Sequence, residues 1–548
     1  MEIALPRNWR LAVRSLPWGW TAVSLVLVLL LAIPVITIPI GALAPAGEAW
    51  AHVSETLLPS YFGNTLFLVL TSGTIAAVIG AGTAWLVAMC DFPGRRLFRW
   101  ALVLPLAVPA YMAAYVYSGM VGVTGPIQRM IRAVVPGAGD TLFYWNVMRI
   151  EVVAVLFGLV LFPYVYLPAR ALLESRAGPT LEAARVLGRG HASVFWSIGL
   201  PLARPALVGG VALVLMEVVN DYGAVKYYGV PTFTTGIFRA WFSLGDLDSA
   251  IRLSAMLMML VLTLLVIERW QRGQARYVTS GEASRPAPYR LRGAKGLAAA
   301  LFCAVPIAFG FLLPVLQLIL WALRTAPQVV DGRFVRLAAN SLGLAGLAGL
   351  IAVTIALVLS YTSRLDRTDI TRAASRVALL GYSVPGAVIA VGVLTVSIFL
   401  DGIFGGGARL ILTGTVVALV AAYVVRFLAV AYLPVEAGLE RVGTNLTEAS
   451  RMLGARPLRT LLRIEVPLLR GTLVAAGTLV VIDVLKELPL TLILRPFNFD
   501  TLATRAFQLA SDEQVAESAP AALLVILCAT LVVAVLHRTL DGKPDLGR

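Results

Sequence analysis

Charged residues are scarce in this chain. They make up 14% of its 548 residues, whereas a soluble domain has about a quarter. Hydrophobic residues make up 59%, and the mean hydropathy is +0.84. This composition excludes a soluble globular protein and indicates an integral membrane protein. The net charge of +15 does not indicate nucleic-acid binding, because the basic residues lie in short segments between apolar runs, the pattern that sets membrane orientation.

Residues that could form a catalytic or metal centre are also few. The histidines and cysteines are isolated or lie in or beside apolar segments without metal-ligand spacing: His52, His191, His537, Cys90, Cys303 and Cys528. The sequence has no G-x4-G-K-[ST] phosphate loop, so we do not expect this chain to hydrolyse ATP. These absences argue against an enzyme and against a resident metal.

Long apolar runs dominate what is present, and each is about 20 residues long, which is enough to cross the hydrocarbon core as a helix. The runs are too long for the strands of a membrane barrel and lack their alternation. We therefore predict an all-α polytopic membrane protein with about twelve transmembrane helices. The predicted spans are residues 21–40, 64–90, 101–120, 150–169, 205–222, 250–267, 297–323, 339–363, 376–400, 411–433, 471–494 and 517–537.

Most Lys and Arg residues fall in the two tails and in the loops on one side of these spans. The positive-inside rule then predicts a multi-pass protein of the cytoplasmic (inner) membrane with both termini in the cytoplasm. Residues 269–296 are basic and rich in Gly, Ser and Pro, and we interpret them as a cytoplasmic linker. It separates a first six-span repeat (1–268) from a second (297–548). Because six is even, the two repeats are parallel.

One polar, Arg-rich segment occurs twice, as EAARVLGRGHASVFWSIGLP from residue 182 and as EASRMLGARPLRTLLRIEVP from residue 448, an offset of 266 (448 − 182 = 266). Each copy is predicted to form a short exposed helix that ends at a glycine, which suits docking of a partner. The docking prediction falls on Glu182, Ala183, Ala184 and Gly188, and on Glu448, Ala449, Ser450 and Gly454.

The duplication extends beyond this segment. Earlier in each half the offset is 276, as between Asn64 and Asn340 (340 − 64 = 276), so the first half holds ten extra residues (276 − 266 = 10). The outer loop 121–148 is the expected place for them. Later in each half the offset is again 266, and it pairs Arg239 with Arg505 in outer loops. These arginines could contact acidic groups of an outer binding protein or hold their own loops.

Charged residues at membrane depth are duplicated too. Glu217 and Asp221 lie near the end of the fifth span, four positions apart and so expected on one helix face. Asp483 and Glu487 repeat the pattern on the eleventh span, beside Lys486. Such charges are costly in a membrane, so all five are candidates for a transport pathway or its gate. The four carboxylates could contact a hard cation in transit; the alternative is a structural clamp in which Lys486 pairs with a carboxylate.

The duplicated segment resembles the cytoplasmic loop of ABC importer permeases, in which this loop forms the coupling helix that sits in a groove of the ATPase subunit. The first copy matches the family's E-A-A-x3-G-x9-I-x-L-P fully, and the second departs from it at Ser450 and Val466. Two copies in one chain resemble the fused permeases of the ferric-iron and thiamine type. Segments 231–241 (PTFTTGIFRAW) and 486–507 (KELPLTLILRPFNFDTLATRAF) resemble the ferric-iron branch.

This resemblance implies a type I ABC importer permease fold with two parallel six-helix repeats. It implies two copies of a separate ATPase subunit that binds ATP-Mg, an outer solute-binding protein, and no cofactor on this chain. Ferric iron is the implied cargo, with thiamine, polyamine or an oxyanion such as sulfate as alternatives. An ion-coupled secondary transporter is the rival from a different class, although it would not need two docking loops; a membrane enzyme is a weaker third.

Overall fold

The computed structural model describes most of the chain. The described residues are 18–45, 47–122, 125–134, 146–176, 184, 187–188, 190–272, 288–366, 368, 371, 379, 381–404, 411–443 and 445–541. They are almost entirely helical and form two compact units. The larger unit is Ala44–Ala338 with Asp500–Arg548, and the smaller unit is Met1–Leu43 with Ala339–Phe499.

The larger unit is built from helices interrupted by short irregular turns. Its helices are α2 (Glu48–His52), α3 (Leu58–Met89), α4 (Arg95–Ala101), α5 (Ala110–Val121), α6 (Pro126–Val134), α7 (Ile150–Leu161), α8 (Pro163–Arg176), α9 (His191–Val194), α10 (Leu200–Asn220), α11 (Gly223–Tyr227), α12 (Phe233–Phe238), α13 (Leu247–Arg272), α14 (Ala294–Ile307), α15 (Leu313–Val329), α23 (Leu502–Ser511) and α24 (Ala519–Asp541). Single π-helical turns Val53–Leu57, Phe195–Gly199, Arg239–Ser243 and Ala308–Leu312 and a 3-10 turn Leu104–Ala107 join several of them.

The smaller unit contains one helix from the start of the chain and the helices between α15 and α23. They are α1 (Trp18–Gly41), α16 (Gly332–Leu365), α17 (Gly386–Phe404), α18 (Val416–Val442), α19 (Asn445–Met452), α20 (Pro457–Thr460), α21 (Val466–Lys486) and α22 (Pro489–Leu494), with a π-helical turn Leu461–Glu465 between α20 and α21.

Small residues allow the helices of the larger unit to pack closely. A Cβ on Gly80 of α3 would lie 2.6 Å from Cβ of Val165 on α8, and one on Gly210 of α10 would lie 2.6 Å from the carbonyl oxygen of Tyr164. Gly158 of α7 packs in the same way against Ile75. In a bilayer the hydrophobic effect does not draw helices together, so close van der Waals contact at such glycines supplies much of the packing energy.

Each unit takes helices from both predicted repeats. In the larger unit α24 packs on α15 and α23, and the ring of Phe507 on α23 meets that of Tyr111 on α5 with centroids 6.4 Å apart. In the smaller unit α1 packs on α17, where Gly392 admits the carbonyl of Pro34. Repeats defined by sequence and units defined by packing are therefore different divisions of this chain, and the boundaries at 268 and 297 stay a prediction.

The predicted linker is structured at its far end. The two-residue strand β2 (Tyr289–Arg290) pairs in parallel with β1 (Cys90–Asp91), with Cys90 opposite Tyr289. At the near end, α13 continues to Arg272, three residues past the expected start of the linker at residue 269. Residues 273–287 lie outside the described part of the chain.

The prediction of a polytopic all-α protein is confirmed. Among the described residues, ten helices are long and apolar enough to cross a membrane. The segments Arg95–Ala107 and Ala110–Val134, which meet at a bend of 89° beside Pro109, add an eleventh if they form one span. A shorter apolar helix, Ala519–Ala534, coincides with the twelfth predicted run.

The predicted end of the eleventh span is wrong. Its helix, α21, ends at Lys486 and does not continue to residue 494. Glu487 and Leu488 interrupt the helix before α22 begins at Pro489. Pro489 has no backbone N–H to donate to a carbonyl of α21, so the hydrogen-bonded helix cannot continue unbroken through it.

Candidate functional site

The second copy of the duplicated segment forms a short helix, α19, that is closed by a glycine cap. Gly454 has φ +80°, in the left-handed region. Its N–H donates to the carbonyl of Arg451 at 3.0 Å, and the N–H of Ala455 donates to that of Ser450 at 3.1 Å. This pair of bonds is the Schellman motif, which satisfies carbonyls at a helix end and requires a residue that tolerates positive φ. Gly454 therefore ends the predicted docking helix for a definite backbone reason.

The faces of α19 have opposite character. Glu448 and Ala449 are exposed, whereas Thr447 and Ser450 are buried. The Thr447 hydroxyl donates to Oε1 of Glu465 at 2.6 Å, and the hydroxyls of Ser450 and Thr460 are 2.8 Å apart. The buried face thus fastens α19 to the segment that follows it, and the exposed face keeps the first two motif residues available to a partner.

The described residues of the first copy have the same burial and backbone geometry as their counterparts in the second copy. Ala184, the counterpart of Ser450, is 5% exposed, and Gly188 has φ +74°, close to that of Gly454. Leu187 and Leu453, which precede the two glycines, are 80% and 89% exposed. The two segments thus expose a leucine at equivalent positions. The predicted docking residues Glu182 and Ala183 lie outside the described residues.

The candidate pathway carboxylates do not share helix faces as predicted. Helix α10 ends at Asn220, and Asp221 follows it in extended geometry; α21 ends at Lys486, and Glu487 follows in the same way. The Asp221 carboxylate accepts from the N–H of Ala224 at 2.9 Å, and that of Glu487 accepts from the N–H of Leu490 at 3.1 Å. Each therefore satisfies an N–H at the start of the next short helix, α11 or α22.

Glu487 has a partner that sequence reasoning missed. Nε of Arg426, on α18, lies 3.2 Å from Oε2 of Glu487, and the two side chains are 9% and 6% exposed. A Cβ on Gly386 would lie 2.6 Å from Oε1 of Glu487 and 2.7 Å from Nη1 of Arg426, so the pair needs a glycine beside it. The signal was an arginine inside the apolar run 411–433. Its counterpart in the first half is Val160 (426 − 266 = 160).

The remaining candidates, Glu217, Asp483 and Lys486, are partly buried. Asp483 interacts electrostatically with Lys486, Arg426 and Glu487, so the second half carries a mixed cluster of charges at the end of α21. Among the described residues, no group of three His, Cys, Asp or Glu side chains is arranged to hold a metal ion. The geometry therefore offers single carboxylates and ion pairs, and no assembled cage.

Arg239 and Arg505 are both exposed. Each follows a capping box, formed by Thr232 with Thr235 before α12 and by Thr501 with Thr504 before α23. Arg239 comes seven residues after its cap and Arg505 four residues after its own, so their spacing from the caps differs, and their contact with a binding protein stays a prediction. Arg239 also interacts with the hydroxyl of Tyr61 on α3, which favours a local role for it.

Comparison with known proteins adds independent evidence. The family model described as "Binding-protein-dependent transport system inner membrane component" matches residues 73–278 and again 352–544. The chain is 26% identical over 483 residues to the Fe(3+)-transport system permease protein FbpB 2 of Haemophilus influenzae, covering 87% of this chain and 89% of that protein.

Other relatives match one half of the chain. The sulfate transport system permease protein CysT of Synechocystis is 27% identical over 212 residues, 38% of this chain and 71% of that protein. The molybdenum transport system permease protein ModB of Escherichia coli is 30% identical over 197 residues, 34% of this chain and 81% of that protein. This chain is a transport subunit and belongs to the family of inner-membrane components of binding-protein-dependent transport systems, with the family's domain present twice.

Proposed function

We propose that this chain is the membrane permease of an ATP-driven importer that moves ferric iron from an outer binding protein into the cytoplasm. The observation that carries the proposal is the extent of its similarity to the iron-transport permease, which spans almost the whole of both chains. The sulfate and molybdenum permeases match only about a third of this chain. A relative that aligns along nearly the whole of this chain is the better guide to cargo.

The two docking segments support the proposal of a separate ATPase subunit. Two copies in one chain would engage two copies of an ATPase subunit, which bind ATP-Mg, while the permease itself holds no cofactor. The exposed faces of the segments, with Glu448 and Ala449 in the second copy and Leu187 and Leu453 at the ends, supply the contact surface. Because these segments face the ATPase, both termini lie in the cytoplasm.

Docking can be tested directly. Changing Glu182 and Glu448 together to Lys reverses the charge at the first position of both motif copies and should release the ATPase from detergent-solubilised complexes. The matched control is the double change Glu55→Lys with Glu440→Lys, since these two glutamates are exposed but lie outside the duplicated segments. Full retention of the ATPase by the Glu182 and Glu448 double variant would refute the docking role.

A ferric ion prefers oxygen ligands, which gives the partly buried carboxylates a role as transient contacts. Because Arg426 neutralises Glu487, Glu217 and Asp483 are the better candidates for transient contact with the ion. Asp221 also caps α11, and Lys486 is a candidate gate residue. Exposed Arg239 and Arg505 are candidate contacts for the binding protein, with Arg505 now the stronger, because Arg239 interacts with Tyr61.

The pathway is tested by uptake of radiolabelled ferric iron. Changing Glu217 and Asp483 together to Ala should abolish uptake while the complex still assembles, because each half then loses its candidate pathway carboxylate at the corresponding position. Changing the exposed residues Glu55 and Glu440 to Ala should leave uptake unchanged. Normal uptake by the Glu217 and Asp483 double variant would eliminate the pathway role.

An oxyanion is the second candidate cargo, favoured by the sulfate and molybdenum permease relatives and by the cations Arg426 and Lys486 beside the candidate pathway. A binding assay on the outer protein that delivers cargo to this permease separates the two. Binding of ferric iron supports the proposal, and binding of sulfate or molybdate instead would replace iron as the cargo while leaving the docking mechanism intact.

A further inference from the structure

A buried polar cluster lies at the base of the second docking helix. Glu465, the last residue of the π-helical turn before α21, is 0% exposed. Its Oε1 accepts from Thr447 of α19 at 2.6 Å and lies 3.9 Å from Nη1 of Arg364, in the last turn of α16. Nη1 of Arg364 also donates to the carbonyl of Leu439 on α18 at 3.0 Å. Four helices, α16, α18, α19 and α21, thus meet at one glutamate and one arginine.

A neighbouring contact reinforces the same attachment. Tyr361, one turn before Arg364 on α16, is fully buried, and its hydroxyl donates to the carbonyl of Pro457 at 2.9 Å. Pro457 begins α20, the short helix directly after α19. The end of α16 therefore holds the docking segment at two points, one through a backbone carbonyl and one through the buried glutamate.

Nothing in the docking motif requires this cluster. The first copy has Gly199 where the second has Glu465 (465 − 266 = 199), and Ala88 where it has Arg364 (364 − 276 = 88). There the base is apolar: the ring of Trp85 packs edge-on against Phe195 with centroids 5.2 Å apart, and Gly199 gives that indole its space. A family requirement would fall on both copies, whereas the polar cluster is a feature of one.

We propose that Arg364, Glu465 and Thr447 are positioning residues that fix the angle of α19 to α16, α18 and α21, and so determine how far a displacement of α19 is transmitted into the smaller unit. Directional hydrogen bonds and an ion pair constrain orientation, while apolar contact allows sliding and rotation. These contacts therefore hold α19 at a fixed angle to the helices beneath it. This inference rests on the proposed function, because the displacement is supplied by the ATPase.

The functional test uses the full chain assembled with its ATPase in proteoliposomes and a binding protein loaded with radiolabelled ferric iron. The measured quantity is iron imported per ATP hydrolysed. Glu465→Gln and Thr447→Val should each lower this ratio about 5-fold or more, the low end of typical coupling between sites. Thr447→Ser, which keeps the hydroxyl, should restore the ratio, and Glu440→Gln, the same change on an exposed glutamate, should not alter it.

A distance measurement distinguishes loss of the contacts that position α19 from general loss of transport. Spin labels at Leu453→Cys and Leu433→Cys report the distance from the end of α19 to α18 in the full chain, after Cys90, Cys303 and Cys528 are replaced by Ser. Glu465→Gln should broaden this distance distribution. It should leave unchanged the distribution from the matching first-half pair, Leu187→Cys with Leu167→Cys (433 − 266 = 167).

The outcomes are separable. A lower ratio of iron imported to ATP hydrolysed, together with a broader distance distribution between the labels at positions 453 and 433, supports the positioning role. An unchanged ratio and an unchanged distance in both Glu465→Gln and Thr447→Val overturn it. If the unaltered chain assembled with its ATPase imports no iron on addition of ATP, the proposed function fails, and the spin-label distances alone still decide whether these residues fix α19. If Glu465→Gln does not assemble, the comparison of Thr447→Val with Thr447→Ser decides.

Discussion

The two docking segments share a backbone design and differ in side-chain chemistry. Both place a small residue inward at the third motif position, Ala184 or Ser450, and both have a glycine with φ between +74° and +80° at the next turn. Beneath the second copy, Glu465 accepts a hydrogen bond from Thr447. Beneath the first copy, the ring of Trp85 packs edge-on against that of Phe195. The two copies thus share the backbone geometry of the glycine turn and differ in the side chains packed beneath it.

A similar divergence occurs at the other end of the same helices. After α21, Glu487 is buried against Arg426, whereas after α10 the matching Asp221 is only partly buried and Val160 replaces the arginine. In both places the second half carries a buried ion pair whose arginine, Arg364 or Arg426, has an apolar counterpart in the first half, Ala88 or Val160. Three sets of substitutions can break or sharpen this comparison.

The largest effect is expected from Arg426→Leu, which leaves Glu487 as an uncompensated buried charge. We expect it to lower the free energy of unfolding by about 3 to 5 kcal/mol. The matching first-half change, Val160→Leu, should cost less than about 1.5 kcal/mol, because it only rearranges apolar packing. Denaturant titrations of the purified chain measure both. Equal losses would contradict the difference between the halves, and Arg426→Leu combined with Glu487→Leu should recover most of the stability.

An intermediate effect is expected where the two copies agree. Gly454→Ala and Gly188→Ala each force a side chain into left-handed geometry, which should cost about 1 to 2 kcal/mol in each copy. Thermal unfolding of the two variants should therefore show similar shifts. As a control, Gly471→Ala, in α21 with open space around it and no positive φ, should not destabilise the chain. A loss of thermal stability in only one of the two variants would show that the glycine cap contributes differently to stability in the two halves.

The smallest effect is expected from exchanging one copy's residues for the other's. Ser450→Ala leaves the Thr460 hydroxyl, which is 0% exposed, without this partner and should cost about 1 kcal/mol. Ser450→Ala with Thr460→Val gives the second copy the first copy's residues, Ala184 and Val194, and should be nearly neutral. Additive losses in a double-mutant cycle would contradict a direct hydrogen bond between the two hydroxyls.

The sequence predicted the helical class, nearly all the spans and the short glycine-ended helix of the second copy because these depend on local signals: apolar run length, charge placement and a repeated motif ended by glycine. It failed at the ends of the fifth and eleventh spans, where Asp221 and Glu487 turn out of the helix to cap the next one. It also missed Arg426 and Arg364, since partners far apart along the chain cannot be paired from spacing alone.

By itself, the sequence determined that this protein crosses the membrane many times, that its two halves are related, and that each half repeats one polar segment with a glycine turn, since burial of apolar runs and the freedom of glycine are properties of individual residues. Tertiary structure alone decided which helices form each compact unit, with α1 joining the second half's helices and α24 the first half's. It also decided which buried charges are neutralised, because close packing and ion pairing depend on distances that only the folded chain sets.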